Sequence, residues 1–192
     1  SPYLNFMWGN FKDSNIYLVG NLMIDSLHYG IEKIKDRKID NNNYGLITLH
    51  RPSNVDNPQN LRDILDALSE ISQNIKLFFS IHPRTKNTLK INNINLSKNI
   101  KLLDPLPYLD FLCLMRDSKV IFTDSGGIQE ESTVLKIPCY TLRKNTERPI
   151  TISQGTNLLV GTSKLNILNK FKKHGYNINK NYELPTGWDG MA

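Results

Sequence analysis

Several of the features that would settle this chain's class at once are scarce or missing. There are two cysteines, Cys113 and Cys139, and both lie in apolar segments. That excludes a disulfide framework and points to two reduced core thiols. No histidine or cysteine spacing matches a zinc site, so no metal is expected. No apolar run approaches the ~20 residues of a spanning helix. No stretch has the form of a signal peptide, so the expectation is a soluble, cytoplasmic protein with no membrane partner. The usual dinucleotide fingerprint and the Gly-Lys-Ser/Thr of a P-loop are both missing. The net charge is +6, yet lysines and asparagines are spread along the chain and no basic block alternates with aromatics. A solvated surface explains that charge better than nucleic-acid binding, and a mildly positive cleft for a phosphorylated ligand remains compatible with it.

What is present is enough for one domain with a real core: 192 residues, 39% of them hydrophobic. Residues 1–15 are apolar without a clean period and read as an amino-terminal extension. Residues 16–175 read as the domain, and 176–192 as a polar tail in which Trp188 has no evident partner. Within the domain, strands are expected at 16–19, 45–49, 76–81, 100–103, 120–123, 137–142 and 157–160. Helices are expected at 22–37, from Pro58 onward, at 85–90, at 108–116, after Gly127 and at 163–173, with a helical turn at 150–153. Residues 50–57 and 143–149 read as loops. Strict alternation of short strands with helices implies a doubly wound parallel sheet, Rossmann-like, with right-handed crossovers.

Residues 119–135 organise the rest. Val120, Ile121, Phe122 and Thr123 form a short apolar, β-branched run. Asp124 or Ser125 suits a helix N-cap, and Gly126-Gly127 leaves no Cβ over the first turn. Free N–H groups there and the positive end of the helix dipole suit a phosphate, and a side chain at Gly127 is expected to fill the phosphate space. Glu131, four residues after Gly127, shares its helix face and is placed to accept ribose hydroxyls. Taken alone, the same residues also describe a well-capped turn with glycine for packing.

In such sheets ligands sit beyond the carboxyl ends of the strands. That rule gathers His50, Arg51, His82, Arg84, Asp124, Ser125, Arg143, Glu147 and Arg148 on one rim. Arginines there can make charge-assisted bonds to phosphate oxygens. The rim is short of carboxylates for proton transfer, with Glu131 and Glu147 at most, and so looks like half of a site.

The loops themselves resemble a known family. Val19 to Asp25, Leu49-His50-Arg51-Pro52-Ser53-Asn54-Val55, Asp104 to Phe111, Thr123-Asp124-Ser125-Gly126-Gly127-Ile128-Gln129-Glu130-Glu131, Thr146-Glu147-Arg148-Pro149 and Gly155 to Gly161 occur in this order. Together they look like the carboxyl-terminal half of UDP-N-acetylglucosamine 2-epimerase of the non-hydrolysing type. The resemblance implies one half of a GT-B fold, with the amino-terminal domain and the final crossover helix absent. It implies elimination of UDP from the sugar and its re-addition with C2 inverted, giving UDP-N-acetylmannosamine, without metal or nicotinamide cofactor. It implies cell-surface polysaccharide biosynthesis, a homodimeric full-length enzyme, and a single domain inactive alone. By position, Ser125, Gly126 and Gly127 match the diphosphate holders and Glu131 the ribose contact. Leu106 and Phe111 match the uracil border, and Arg143, Glu147 and Arg148 complete the UDP set. His50 matches a residue facing the diphosphate and aiding UDP departure. Arg51 and His82 match positions facing a regulatory UDP-sugar. Ile150, where many members have Glu, and Pro52-Ser53, in place of the commoner Arg-Glu, depart from the pattern and bear on that regulatory pocket. The alternatives are the hydrolysing epimerase, a GT-B glycosyltransferase and a domain that only binds UDP.

Overall fold

The computed structural model describes residues 19–39, 43–177 and 182–192. The extension at 1–15 lies outside them, as does nearly all of the strand expected at 16–19; Val19 itself has no regular structure. Six strands follow: β1 (Tyr44–Thr48), β2 (Lys76–Ser80), β3 (Ile100–Leu103), β4 (Val120–Thr123), β5 (Cys139–Thr141) and β6 (Asn157–Leu159). All pair in parallel, in the order β3-β2-β1-β4-β5-β6. The order reverses between β1 and β4, so the crevice of this Rossmann-like sheet opens beyond Thr48 and Thr123, which pair with each other.

Among the described residues eight helices cover the sheet: α1 (Leu22–Lys33), α2 (Pro52–Val55), α3 (Pro58–Ile71), α4 (Pro83–Ile91), α5 (Tyr108–Arg116), α6 (Gly126–Val134), α7 (Ile150–Ser153) and α8 (Lys164–His174). Successive strand residues point to opposite faces. Ile47, Phe79, Phe122 and Tyr140 enter one core with Leu61, Ile64, Leu65 and Leu68 of α3 and Ile167 of α8. Leu46, Ile121 and Cys139 enter the other, with Ile24 and Leu27 of α1 and Leu112 and Met115 of α5. Strands covered on both faces need continuous apolar runs, and β1 and β4 are buried at every position. Both cysteines are buried and free.

Some boundaries differ from the sequence reading, for local reasons. The 50–57 loop contains α2, started by Pro52 in the first helical position, where its missing N–H costs nothing. α4 starts at Pro83 because the His82 ring accepts from the Arg84 amide at 3.2 Å. α1 ends at Lys33 rather than at residue 37, and Leu22 at its start is exposed. Trp188, expected to lack a partner, is buried in the second core, on a carboxyl-terminal segment that lies over the start of α1. The Asn21 amide donates to the Gly187 carbonyl, and the Ala192 amide donates to the Asp25 carboxylate. Gly20, at φ +95°, lies so close to Gly187 that a side chain would meet its carbonyl at 2.8 Å. Among the described residues no helix is long and apolar enough to cross a membrane.

Candidate functional site

The crevice floor is polar and fully bonded. Thr48 and Thr123 share a hydrogen bond between their hydroxyls at 2.6 Å, where β1 and β4 end. Asp124, next in chain, is completely buried. Its side chain does not cap α6. It turns across the crevice to the β1 loop, accepting from the amides of His50 and Arg51 and from Asn54 Nδ2 at 3.0–3.2 Å. Asn54 also donates to the Leu142 carbonyl at 2.9 Å, tying β1, β4 and β5 together at their carboxyl ends. The loop bearing His50 and Arg51 is therefore fixed by a side chain from the strand across the crevice.

α6 consequently starts without a side-chain cap. Ser125 occupies the N-cap position but its side chain accepts nothing from the helix, and its own amide donates to Thr123 Oγ1. The first amides of a helix have no intrahelical acceptor, so this start is a cluster of donors at the positive end of the dipole. The two glycines face different ways. A Cβ on Gly126 would point toward Arg148 and Arg51, about 4.0 Å away, on the crevice side. A Cβ on Gly127 would meet the Met23 methyl of α1 at 2.8 Å. Gly127 thus allows α1 to approach, and the side-chain space expected to belong to a phosphate belongs instead to Gly126.

Three arginines close over this start. Arg51 Nη2 lies 3.3 Å from one Glu147 oxygen, and Arg143 Nη2 lies 3.0 Å from the other. Those contacts hold the exposed Glu147 carboxyl below the usual carboxylate range, Arg143 contributing most. Arg148 Nε lies 2.8 Å from Glu130 Oε1, at ion-pair distance but without hydrogen-bond alignment. Arg51 Nε, Arg143 Nη1 and Arg148 Nε are all buried donors without a hydrogen-bond partner. Such groups are rare because each costs about 1–3 kcal/mol. Three on converging guanidiniums beside an uncapped helix start suit an anion with several oxygens.

The helix continues as an unusually polar buried element, with Gln129, Glu130, Glu131, Ser132 and Thr133 all inside. Gln129 accepts from Thr146 Oγ1 at 2.6 Å, which fixes the 143–149 loop over α6, and Asn157 donates to the Gln129 carbonyl. Glu131 accepts from the Tyr108 hydroxyl at 2.9 Å. Burial pushes its carboxyl up, and the phenol of Tyr108 is also pushed up, by burial first and the Glu131 charge second. Glu130 accepts from Asn21 at 3.4 Å and is raised by burial. The rim therefore holds more carboxylate than expected, since Asp124 and Glu130 join Glu131 and Glu147, but the two added groups face inward to protein donors.

The structure brings His50, Arg51, Ser125, Gly126, Arg143, Glu147 and Arg148 together around the α6 start. Glu131 sits one turn further along, linked through Tyr108 to α5, which carries Phe111; Leu106 lies in the loop before α5, and both Leu106 and Phe111 are half-buried. His82 and Arg84 stand apart at the end of β2, His82 as the α4 cap and Arg84 paired with Asp56. Sequence reasoning missed Tyr108, Asn54 and the inward role of Asp124. A buried acceptor between donors from two loops has no signal in linear spacing.

With this geometry in hand, comparison with known proteins is specific. Residues 5–189 match the family model described as UDP-N-acetylglucosamine 2-epimerase. The UDP-N-acetylglucosamine 2-epimerase of Methanocaldococcus jannaschii is 37% identical over a 199-residue alignment, covering 95% of this chain and 54% of that protein. The Escherichia coli K12 enzyme of the same name is 34% identical, covering 85% of this chain and 48% of its own length. A crystal structure of the M. jannaschii enzyme in complex with UDP-GlcNAc and UDP superposes with a TM-score of 0.81 at 35% identity, over 98% of this chain and 56% of that one. The chain spans about half the length of the curated relatives it matches.

Proposed function

The chain belongs to the UDP-N-acetylglucosamine 2-epimerase family, and on that premise we propose that it supplies the nucleotide-binding half of an enzyme converting UDP-N-acetylglucosamine to UDP-N-acetylmannosamine. The observation that carries this reading is the uncapped start of α6 beneath three arginines, of which Arg51 and Arg143 each keep a buried donor without a partner and Arg148 is held by Glu130. The diphosphate would take the Ser125–Gly127 turn, with Gly126 allowing close approach and Arg51, Arg143 and Arg148 supplying charge-assisted bonds. Glu147, half exposed between Arg51 and Arg143, holds the guanidiniums in place until phosphate oxygens compete for them. Glu131, oriented by Tyr108, would receive the ribose hydroxyls, and Leu106 and Phe111 would border the uracil.

His50 would face the leaving diphosphate from the end of β1. Charge grows on the bridging oxygen as UDP departs, so a donor there stabilises the transition state more than the ground state. Proton abstraction at the sugar C2 falls to the other half of a GT-B arrangement, because the buried carboxylates of this half face protein donors. The chain alone is therefore expected to bind UDP and not to epimerise. Product analysis of an enzyme containing both halves separates this reading from the hydrolysing one, which would release free N-acetylmannosamine.

Calorimetric titration of the chain with UDP, UMP and ATP tests the proposal. UDP should bind measurably, UMP more weakly for want of a second phosphate, and ATP weakest because a purine does not fit a pyrimidine border. Equal affinity for UDP and ATP would reduce the site to a general anion cradle and remove the uridine assignment.

A further inference from the structure

We propose that Asp124 is a positioning residue for His50, fixing its neutral imidazole with the proton on Nδ1 and leaving Nε2 bare toward the crevice. His50 Nδ1 lies 3.2 Å from Asp124 Oδ1. The imidazole is 46% exposed and the carboxylate 0%, so the Nδ1 side of the ring rests, at ion-pair distance, on a buried acceptor while part of the ring stays open to solvent. Asp124 cannot swing away, because the amides of His50 and Arg51 and the side chain of Asn54 all donate to it. Those contacts also make it an acceptor toward everything it touches. An acceptor at Nδ1 draws the ring proton there, whereas free neutral imidazole favours the proton on Nε2.

The consequence is directional. Neutral His50 then offers only a lone pair to the crevice and cannot donate to a phosphate oxygen. To donate it must become imidazolium, with Asp124 stabilising the added charge from behind. Ligand binding at the α6 start would therefore take up a proton on His50. The other charged groups near that start are Arg51 on the same loop, Arg143, Glu147 and Arg148 from the loop after β5, and Glu130 of α6 beside Arg148. A bound diphosphate would place negative charge opposite Nε2. This second consequence rests on the UDP reading above; the tautomer does not.

Nitrogen NMR of the imidazoles in the chain tests the tautomer directly. The four histidines are His28, His50, His82 and His174, and His50→Gln identifies the signals of interest. At a pH where the ring is neutral, His50 should show a protonated Nδ1 and a bare Nε2. A protonated Nε2, or an average like that of free histidine, overturns the proposal. In Asp124→Asn the carboxamide can present its NH₂ group to Nδ1, and the ring proton should move to Nε2. Should that variant fail to fold, the wild-type spectrum still decides. UDP affinity against pH gives the second readout, with the His50→Gln profile subtracted to remove titration of the nucleotide itself. The His50-dependent part should fall as pH rises through the imidazole range, near 6.5 for a free histidine, by up to about tenfold per unit for one proton taken up. A His50-dependent part that is flat in pH overturns the linked proton uptake while leaving UDP binding intact. Absence of UDP binding overturns the UDP reading and leaves the tautomer to the spectrum.

Discussion

α4 and α6 both start at the carboxyl end of a parallel strand, two strands apart in the same sheet, and they are finished in opposite ways. At α4, apolar Ile81 packs into the core and His82 turns its ring back to accept from the Arg84 amide. At α6, the residue in the same place is Asp124, which reaches across the crevice, and the Ser125 side chain at the N-cap accepts nothing from the helix. One start is closed by its own side chain. The other is left open, flanked by partnerless arginine donors. A protein optimised only for stability would close both, since a cap contributes roughly 1 kcal/mol. The difference, together with the arginines over α6, makes that start the candidate ligand site.

The strongest way to break the comparison is to remove Asp124. Asp124→Ala leaves the His50 and Arg51 amides and Asn54 Nδ2 facing a cavity in place of their acceptor. We expect a loss of about 3–5 kcal/mol, as for other buried charged groups stripped of their bonds, read as the shift in the urea unfolding midpoint. A loss below about 1 kcal/mol, the level of an ordinary cap, would mean that Asp124 does not organise the crevice floor.

His82→Ala addresses the other start, with a smaller effect. Removing the cap should cost about 1 kcal/mol, and UDP affinity should hold within about twofold, since His82 stands apart from the α6 start. If stability is unchanged but UDP binding drops, His82 belongs to the ligand site and the contrast between the two starts fails.

Much of this was legible in the sequence, and the exceptions share a cause. The β4–α6 unit was readable because Val120 to Thr123 and Gly126-Gly127 are local signals, and the α5 boundaries emerged from apolar spacing alone. The parallel sheet followed from alternation, and its switch point then gathered His50, Arg51 and Arg148 on one rim. What stayed hidden depends on contacts between distant segments. Asp124 looked like a cap because Asp is a favoured N-cap residue at a strand-to-helix turn; only the fold reveals the amides of His50 and Arg51, more than 70 residues away in sequence, pointing at it. A side chain at Gly127 was expected to fill phosphate space, because Met23 of α1, which it would meet instead, is remote in sequence. Trp188 looked unpartnered because its core lies beneath α1, at the opposite end of the described chain. The carboxylate count was short for a related reason, since Asp124 and Glu130 lie at the rim but are buried against protein donors.

The central claim is that the open start of α6 holds the diphosphate, and Gly126→Val tests it most directly. The new side chain would project toward Arg51 and Arg148, into space rather than core, so the fold should survive with its melting temperature within a few degrees of wild type. Calorimetric titration with UDP should then show a dissociation constant raised by about 30- to 100-fold, the equivalent of one or two charge-assisted hydrogen bonds lost. A folded Gly126→Val chain that binds UDP as tightly as wild type would contradict the account and move the nucleotide elsewhere on the rim.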